Sequence, residues 1–129
     1  MTTVLIVDDE VVFRNSLKEI INWEMYGFYL CGEASDGISA KQKIEKLEPD
    51  IVITDIKMSG MDGLSLIAYL HENYPHIQVI ALSGYDDYEY VRTSLKQGVV
   101  DYLLKHNITA SSLLNVLQTA QKQINRAKE

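Results

Sequence analysis

A doubly wound α/β fold, one five-stranded parallel sheet flanked by five helices, is predicted by three features of the sequence. Short apolar runs rich in Val, Ile and Leu alternate with amphipathic stretches along the whole length. The runs lack strict polar/apolar alternation, as expected of strands covered on both faces. The links between them are short, which favours right-handed crossovers between parallel strands. At 129 residues, 47% hydrophobic and 23% charged, the chain suits one domain with its own core.

The elements follow in order. Val4–Val7 is the first strand, and Phe13, Leu17, Ile20 and Ile21 then fall at i, i+4, i+7 and i+8, one face of a first helix. Tyr29–Cys31 is the second strand, followed by a stripe of Ala40, Ile44 and Leu47 that ends at Glu48-Pro49. Ile51–Ile53 is the third strand, with Leu64, Ile67 and Leu70 on a helix stopped by Tyr74-Pro75. Val79–Leu82 is the fourth. Asp86 with Glu89 resembles a capping box opening a fourth helix, whose stripe is Val91 and Leu95 and whose cap is Gln97-Gly98. Val99–Leu104 is the fifth strand, and Leu113, Leu117, Ala120 and Ile124 mark the last helix. Trp23 is expected to fill the turn between the first helix and second strand.

In such a fold the ligand site lies beyond the carboxyl ends of the strands. The residues there are Asp8 and Asp9, Asp55, Ser83 with Gly84, and Lys105. Taken singly each has an ordinary reading: acids ahead of helices as caps, Ser-Gly as a turn, lysine as a solvated charge. Independent capping does not require all of them on one edge of one sheet. Three carboxylates gathered there suit Mg²⁺, which takes hard oxygen ligands and offsets their mutual repulsion. Asp55 could then act as a nucleophile toward a phosphoryl group, with Lys105 and Ser83 holding its oxygens.

Composition narrows the setting. A formal net charge of -6 argues against non-specific binding to nucleic acid or an anionic membrane. The lone Cys31 excludes an internal disulfide and reads as a small core residue. No leader or long apolar run is evident, so a cytoplasmic setting is expected.

The stretches "LIVDDE", "DIVITDIKMSGMDG", "VIALSGYDD" and "GVVDYLLK" together resemble bacterial two-component response-regulator receiver domains, over roughly Thr3 to Gln121. The resemblance implies a flavodoxin-like sheet of order 2-1-3-4-5, a phosphoacceptor domain over residues 1–122, and the start of a linker or tail at 123–129. By position, Asp55 accepts phosphoryl from a sensor histidine kinase. Asp9 and Asp55 bind Mg²⁺ directly, the Lys57 backbone carbonyl adds a ligand, and Asp8 acts through water. Ser83 moves to meet the phosphoryl group, Tyr102 turns inward behind it, and Lys105 pairs with the acyl phosphate. The shift remodels the face of the fourth helix, fifth strand and fifth helix, which controls homodimerisation and output; plain core packing with its hydroxyl at the rim is the other reading of Tyr102 and is compatible with that role. The chain is then no enzyme beyond its own phosphorylation and dephosphorylation.

"NWEMYGF" and "SGYDDYEY" resemble receivers fused to AraC-type DNA-binding domains. The chain is expected to be the receiver part of a longer regulator, or a stand-alone receiver, reaching DNA only through an output domain. Tyr85, Tyr88 and Tyr90 are candidates for a partner surface, with ordinary half-buried packing as the alternative.

Two departures from the family pattern stand out: His106 follows Lys105 where proline is usual, and Ser59 replaces proline in the loop after Asp55. A trans Lys105-His106 peptide is expected, because cis before a non-proline residue costs about 2.5–4 kcal/mol. The departures keep open an atypical receiver that signals by contact without phosphate. A haloacid-dehalogenase-like phosphatase would want an acid at Lys57, flavin phosphate would be repelled by Asp8-Asp9-Glu10, and no GxxxxGK[ST] run supports a nucleotide triphosphate. Glu10 is expected to point along the first helix rather than into the site.

Overall fold

The computed structural model of the chain describes residues 1–58, 62–84 and 88–128, and of 88–90 the backbone alone. Ser59, the Asp86–Glu89 capping box and the tyrosines Tyr85, Tyr88 and Tyr90 therefore lie outside the described residues or side chains. Five strands, β1 (Thr2–Val7), β2 (Phe28–Ala34), β3 (Ile51–Asp55), β4 (Gln78–Ser83) and β5 (Asp101–Leu104), form one parallel sheet in the order β2-β1-β3-β4-β5. The helices are α1 (Val11–Ile20), α2 (Gly37–Leu47), α3 (Gly63–Asn73), α4 (Tyr88–Lys96) and α5 (Ala110–Ala127). This is the expected flavodoxin-like arrangement.

The alternation of the strands divides the core in two. Val4, Ile6, Ile51, Ile53, Ile80 and Leu82 face α1 and α5, where Leu17, Leu113, Leu117, Ala120 and Ile124 meet them. Leu5, Val7, Val52, Val79 and Ala81 face the other way, against Ala40 and Ile44 of α2 and Leu66, Ile67 and Leu70 of α3, with Val91 of α4 packed alongside. Each fully buried aliphatic side chain contributes roughly 1.5–3 kcal/mol. The stripes run slightly further than the burial: Leu47 and Leu95 close the second and fourth in the last turns of α2 and α4, and both are exposed.

Helix boundaries have local causes. Asp36 accepts the Ser39 N–H at 2.7 Å to start α2, and Asp62 accepts the Ser65 N–H at 2.8 Å to start α3. Thr109 and Ser112 cap α5 reciprocally. Such caps are worth about 1 kcal/mol each. Glu48, at φ 44°, takes the left-handed conformation that ends α2, and Pro49 keeps the helix from resuming.

Trp23 fills the corner between α1 and β2 as expected, buried, with its Nε1–H donating to the Lys18 carbonyl at 3.1 Å. Cys31 is half-buried and occupies a bulge, where the β1–β2 register shifts between Val4 and Leu5. Its thiol donates to the Val4 carbonyl at 3.4 Å, and burial raises its pKa. Among the described residues no helix is long and apolar enough to cross a membrane.

Candidate functional site

Parallel pairing brings the strand ends to one edge of the sheet. Val7 pairs with Thr54, Asp55 with Leu82, and Ser83 with Leu104. Asp8 therefore leaves β1 beside Asp55, and Lys105 leaves β5 beside Ser83.

Backbone contacts hold the acids in place. The Asp8 N–H donates to the Ala34 carbonyl at 3.0 Å, Asp8 Oδ1 accepts the Glu10 N–H at 2.8 Å, and the Arg14 guanidinium donates to the Asp8 carbonyl. Arg14 is itself steered by Glu33, 2.8 Å from its Nε, which Lys18 also contacts at 2.6 Å. Asp55 Oδ1 accepts the Lys57 N–H at 3.1 Å. Behind Asp55, α3 comes so close that a Cβ on Gly63 would lie 2.0 Å from the Asp55 carbonyl oxygen and 2.4 Å from Ile56 Cα. Only glycine permits that approach.

After β5 a short 3-10 turn over Lys105–Asn107 presents Lys105 to these acids. Its Nζ lies 2.9 Å from Asp8 Oδ2, 3.2 Å from Asp55 Oδ2 and 2.5 Å from Glu10 Oε1, and 4.7 Å from the Phe13 ring centroid. The Lys105-His106 peptide is trans, since no cis peptide occurs among the described residues, and the lysine reaches Asp55 with histidine in place of proline.

Burial sets the electrostatics. Asp8 is fully buried and Asp55 nearly so. Loss of solvent raises the Asp8 pKa and pushes that of Asp55 up to about 6, against the lowering pull of the Lys57 N–H and of Lys105. Burial alone would lower Lys105, but its contacts with Glu10 and Asp8 and the charge of Asp55 outweigh that and hold it firmly protonated.

The expected residues divide into those that converge and those that stand apart. Asp8, Asp55 and Lys105 meet directly, and Lys57 joins through its N–H. Asp9 is exposed at the rim, its carboxylate grouped with those of Asp8 and Glu10, one oxygen of each within 4.8 Å of the others. The Ser83 hydroxyl is fully buried and has no hydrogen-bond partner among the described residues. Tyr102 is 39% exposed beside Ser83, Val91 and Leu104, so plain core packing does not describe it.

Glu10 departs from expectation. It is the residue just before α1, with extended backbone at φ -98° and ψ 107°, so its side chain is free of the helical direction and reaches Lys105. Phe13 and Gly63 were also not expected at the site; for Gly63, the signal was a glycine directly after Asp62 at a helix start.

A divalent cation fits these residues. Asp8 Oδ2 is buried and, although close to the ammonium, lacks an aligned hydrogen-bond donor. Hard carboxylate oxygens with one unsatisfied lone pair are the donor set Mg²⁺ prefers.

Comparison with known proteins agrees with the geometry. A family model described as a response regulator receiver domain matches residues 4–118. The chain is 45% identical over 105 residues to the uncharacterized transcriptional regulatory protein YesN of Bacillus subtilis, covering 81% of this chain and 28% of that protein. It is 44% identical over 108 residues to the transcriptional regulatory protein HptR of Staphylococcus aureus, covering 81% of this chain and 41% of that protein. The chain thus spans less than half the length of these relatives. Among solved structures, the REC domain of AraT, a response regulator from Geobacillus stearothermophilus, superposes with a TM-score of 0.92 at 30% identity, covering 99% of this chain and 98% of that one. A two-component transcriptional regulator AraC from Clostridium phytofermentans gives 0.84 at 34% identity over 99% and 98%.

Proposed function

The chain belongs to the response-regulator receiver domains of two-component signalling, and on that premise we propose that it is a phosphorylation-dependent switch whose phosphoacceptor is Asp55. The observation that carries this reading is the Lys105 ammonium shared between Asp8, after β1, and Asp55, after β3. An ammonium beside a carboxylate offers charge to an incoming phosphoryl group without itself being the nucleophile. An oxygen of Asp55 bonds to phosphorus while the P–N bond of a kinase phosphohistidine breaks, its electron pair leaving on the imidazole. The product is an acyl phosphate whose added charge faces Lys105.

Asp9 and Asp55, with the Lys57 backbone carbonyl and Asp8 through water, would hold Mg²⁺, which when bound supplies positive charge to the transferring oxygens. Ser83 donates its hydroxyl to a phosphoryl oxygen; its burial without a partner supports this. Once Ser83 has moved, Tyr102 turns inward from its half-exposed position. The exposed Leu95, Tyr102 and Leu104 lie on the α4-β5-α5 face, where the reading puts homodimerisation.

Residues 1–122 are the receiver and 123–129 begin a linker or tail, although α5 itself continues unbroken to Ala127. The domain works in the cytoplasm with a sensor histidine kinase and reaches DNA through an output domain of AraC type rather than by its own contacts. It is a phosphoacceptor and not an enzyme acting on other molecules.

Incubation with Mg²⁺ and acetyl phosphate tests the reading by intact mass. One phosphoryl group is expected on the parent chain and none on Asp55→Asn. An unchanged parent mass would favour a receiver that signals by contact alone.

A further inference from the structure

The shortest of the contacts to Lys105 comes from a residue to which neither the strand-end rule nor the phosphoacceptor chemistry assigns a role. Glu10 Oε1 lies 2.5 Å from Nζ, against 2.9 Å for Asp8 and 3.2 Å for Asp55. The ammonium donates to Glu10 Oε1 and Asp55 Oδ2 and pairs by charge with Asp8 Oδ2, to which no hydrogen bond is aligned. An acyl phosphate on Asp55 therefore meets an ammonium whose charge is already shared among three carboxylates and two of whose three protons are taken, and it competes with them for it.

The three partners differ in what release costs. Asp8 is fully buried, and stripping its counter-charge would leave a carboxylate stranded away from water. Asp55 is the group that receives the phosphoryl and keeps the lysine beside it. The Glu10 side chain is 65% exposed, so water replaces the ammonium readily. Its position just outside α1 gives it reach without fixing it to the helix, and no capping hydrogen bond occupies its carboxylate.

We propose that Glu10 is a positioning residue: it holds Lys105 in the unphosphorylated protein and competes with the incoming phosphoryl group for the ammonium, restraining phosphorylation of Asp55. The inference rests on the phosphoacceptor reading above. Glu10 acts through Lys105 and touches no reacting atom.

Two substitutions separate this restraint from simple repulsion of an anionic donor. Glu10→Gln keeps the length and removes the charge, whereas Glu10→Asp keeps the charge and shortens the reach. With Mg²⁺ and acetyl phosphate, the initial rate of phosphorylation of Asp55 is followed by quenched intact mass in both variants, each also in a Lys105→Met background. Competition predicts that both variants phosphorylate roughly two- to fivefold faster than the parent, the size expected of an exposed ion pair, and that the gain disappears without Lys105. A parent-like rate in Glu10→Gln, a gain in Glu10→Gln but not in Glu10→Asp, or a gain that persists in Lys105→Met would each overturn it. A parent chain that takes up no phosphoryl group defeats the phosphoacceptor reading itself and the competition with it, a result distinct from a parent that reacts at the same rate as its variants.

Discussion

Asp55 is held in a place that disfavours its own charge, and this has a measurable cost to the fold. Burial moves its carboxyl from the ordinary aspartate value of 3.8 to about 6. At 1.36 kcal/mol for each tenfold change in proton affinity, folding disfavours the ionised form by about 3 kcal/mol. Because the folded pKa is raised, the protonated group's contribution is fully present below pH 4 and is lost as pH rises through 6. Asp55→Asn, neutral at every pH and still able to accept the Lys57 N–H, should therefore be more stable than the parent at pH 7.5 in EDTA. The expected gain is up to about 3 kcal/mol, on the order of 10 °C in Tm for a domain of this size. Urea denaturation of both proteins at pH 7.5 and 4.5, with chelator and then with excess Mg²⁺, measures it. The gap should close toward pH 4.5, and it should narrow with Mg²⁺, because an ion that binds only the folded parent stabilises it by mass action. Equal stability at pH 7.5, or a gap that widens in acid, would refute the claim that desolvation dominates at Asp55.

Other consequences follow from the supports of the site. Gly63→Ala should cost on the order of 1–3 kcal/mol or more, since its Cβ would meet backbone atoms at 2.0 and 2.4 Å; a thermal melt with Mg²⁺ titration calorimetry should show both lower Tm and weaker metal binding. Glu33 is held below its ordinary pKa by hydrogen bonds from Lys18 and Arg14. Its depressed pKa means that its contribution is present above the ordinary value of 4.5 and fades as pH falls through the folded one. Glu33→Gln should thus lose less stability than the parent between about pH 5 and 3, by under about 1 kcal/mol because the pair is partly exposed, and added salt should shrink the difference.

Much of this site was legible before any coordinates, because parallel strands report their ends. Val4–Val7 and Ile51–Ile53 are runs long enough to be strands and too uniformly apolar to be edges, and Asp8 and Asp55 stand directly after such runs. Once alternation with helices makes the sheet parallel, those acids must share an edge. Leu17 and Ile44 declared their faces by helical spacing in the same way and are fully buried. What stayed hidden depends on backbone direction over one or two residues. Glu10 reads as the first residue of a helix, yet its extended φ and ψ turn it to Lys105. Gly63 shows in sequence only as a glycine, while the reason for it is the nearness of the Asp55 backbone, a tertiary contact. The bulge at Cys31 has no marker in a run of apolar residues, since one extra residue changes pairing without changing composition.

Phosphorylation chemistry in this domain converges on one carboxylate. Reaction with Mg²⁺ and acetyl phosphate, reduction of any acyl phosphate by borohydride and tandem mass spectrometry of the peptides would name the residue that carried it. Modification is expected at Asp55 alone and is lost when Mg²⁺ is chelated; reduction products at Asp8 or Asp9, or a stable phosphate on Ser83 or His106 instead, would rule out Asp55 as the sole phosphoacceptor.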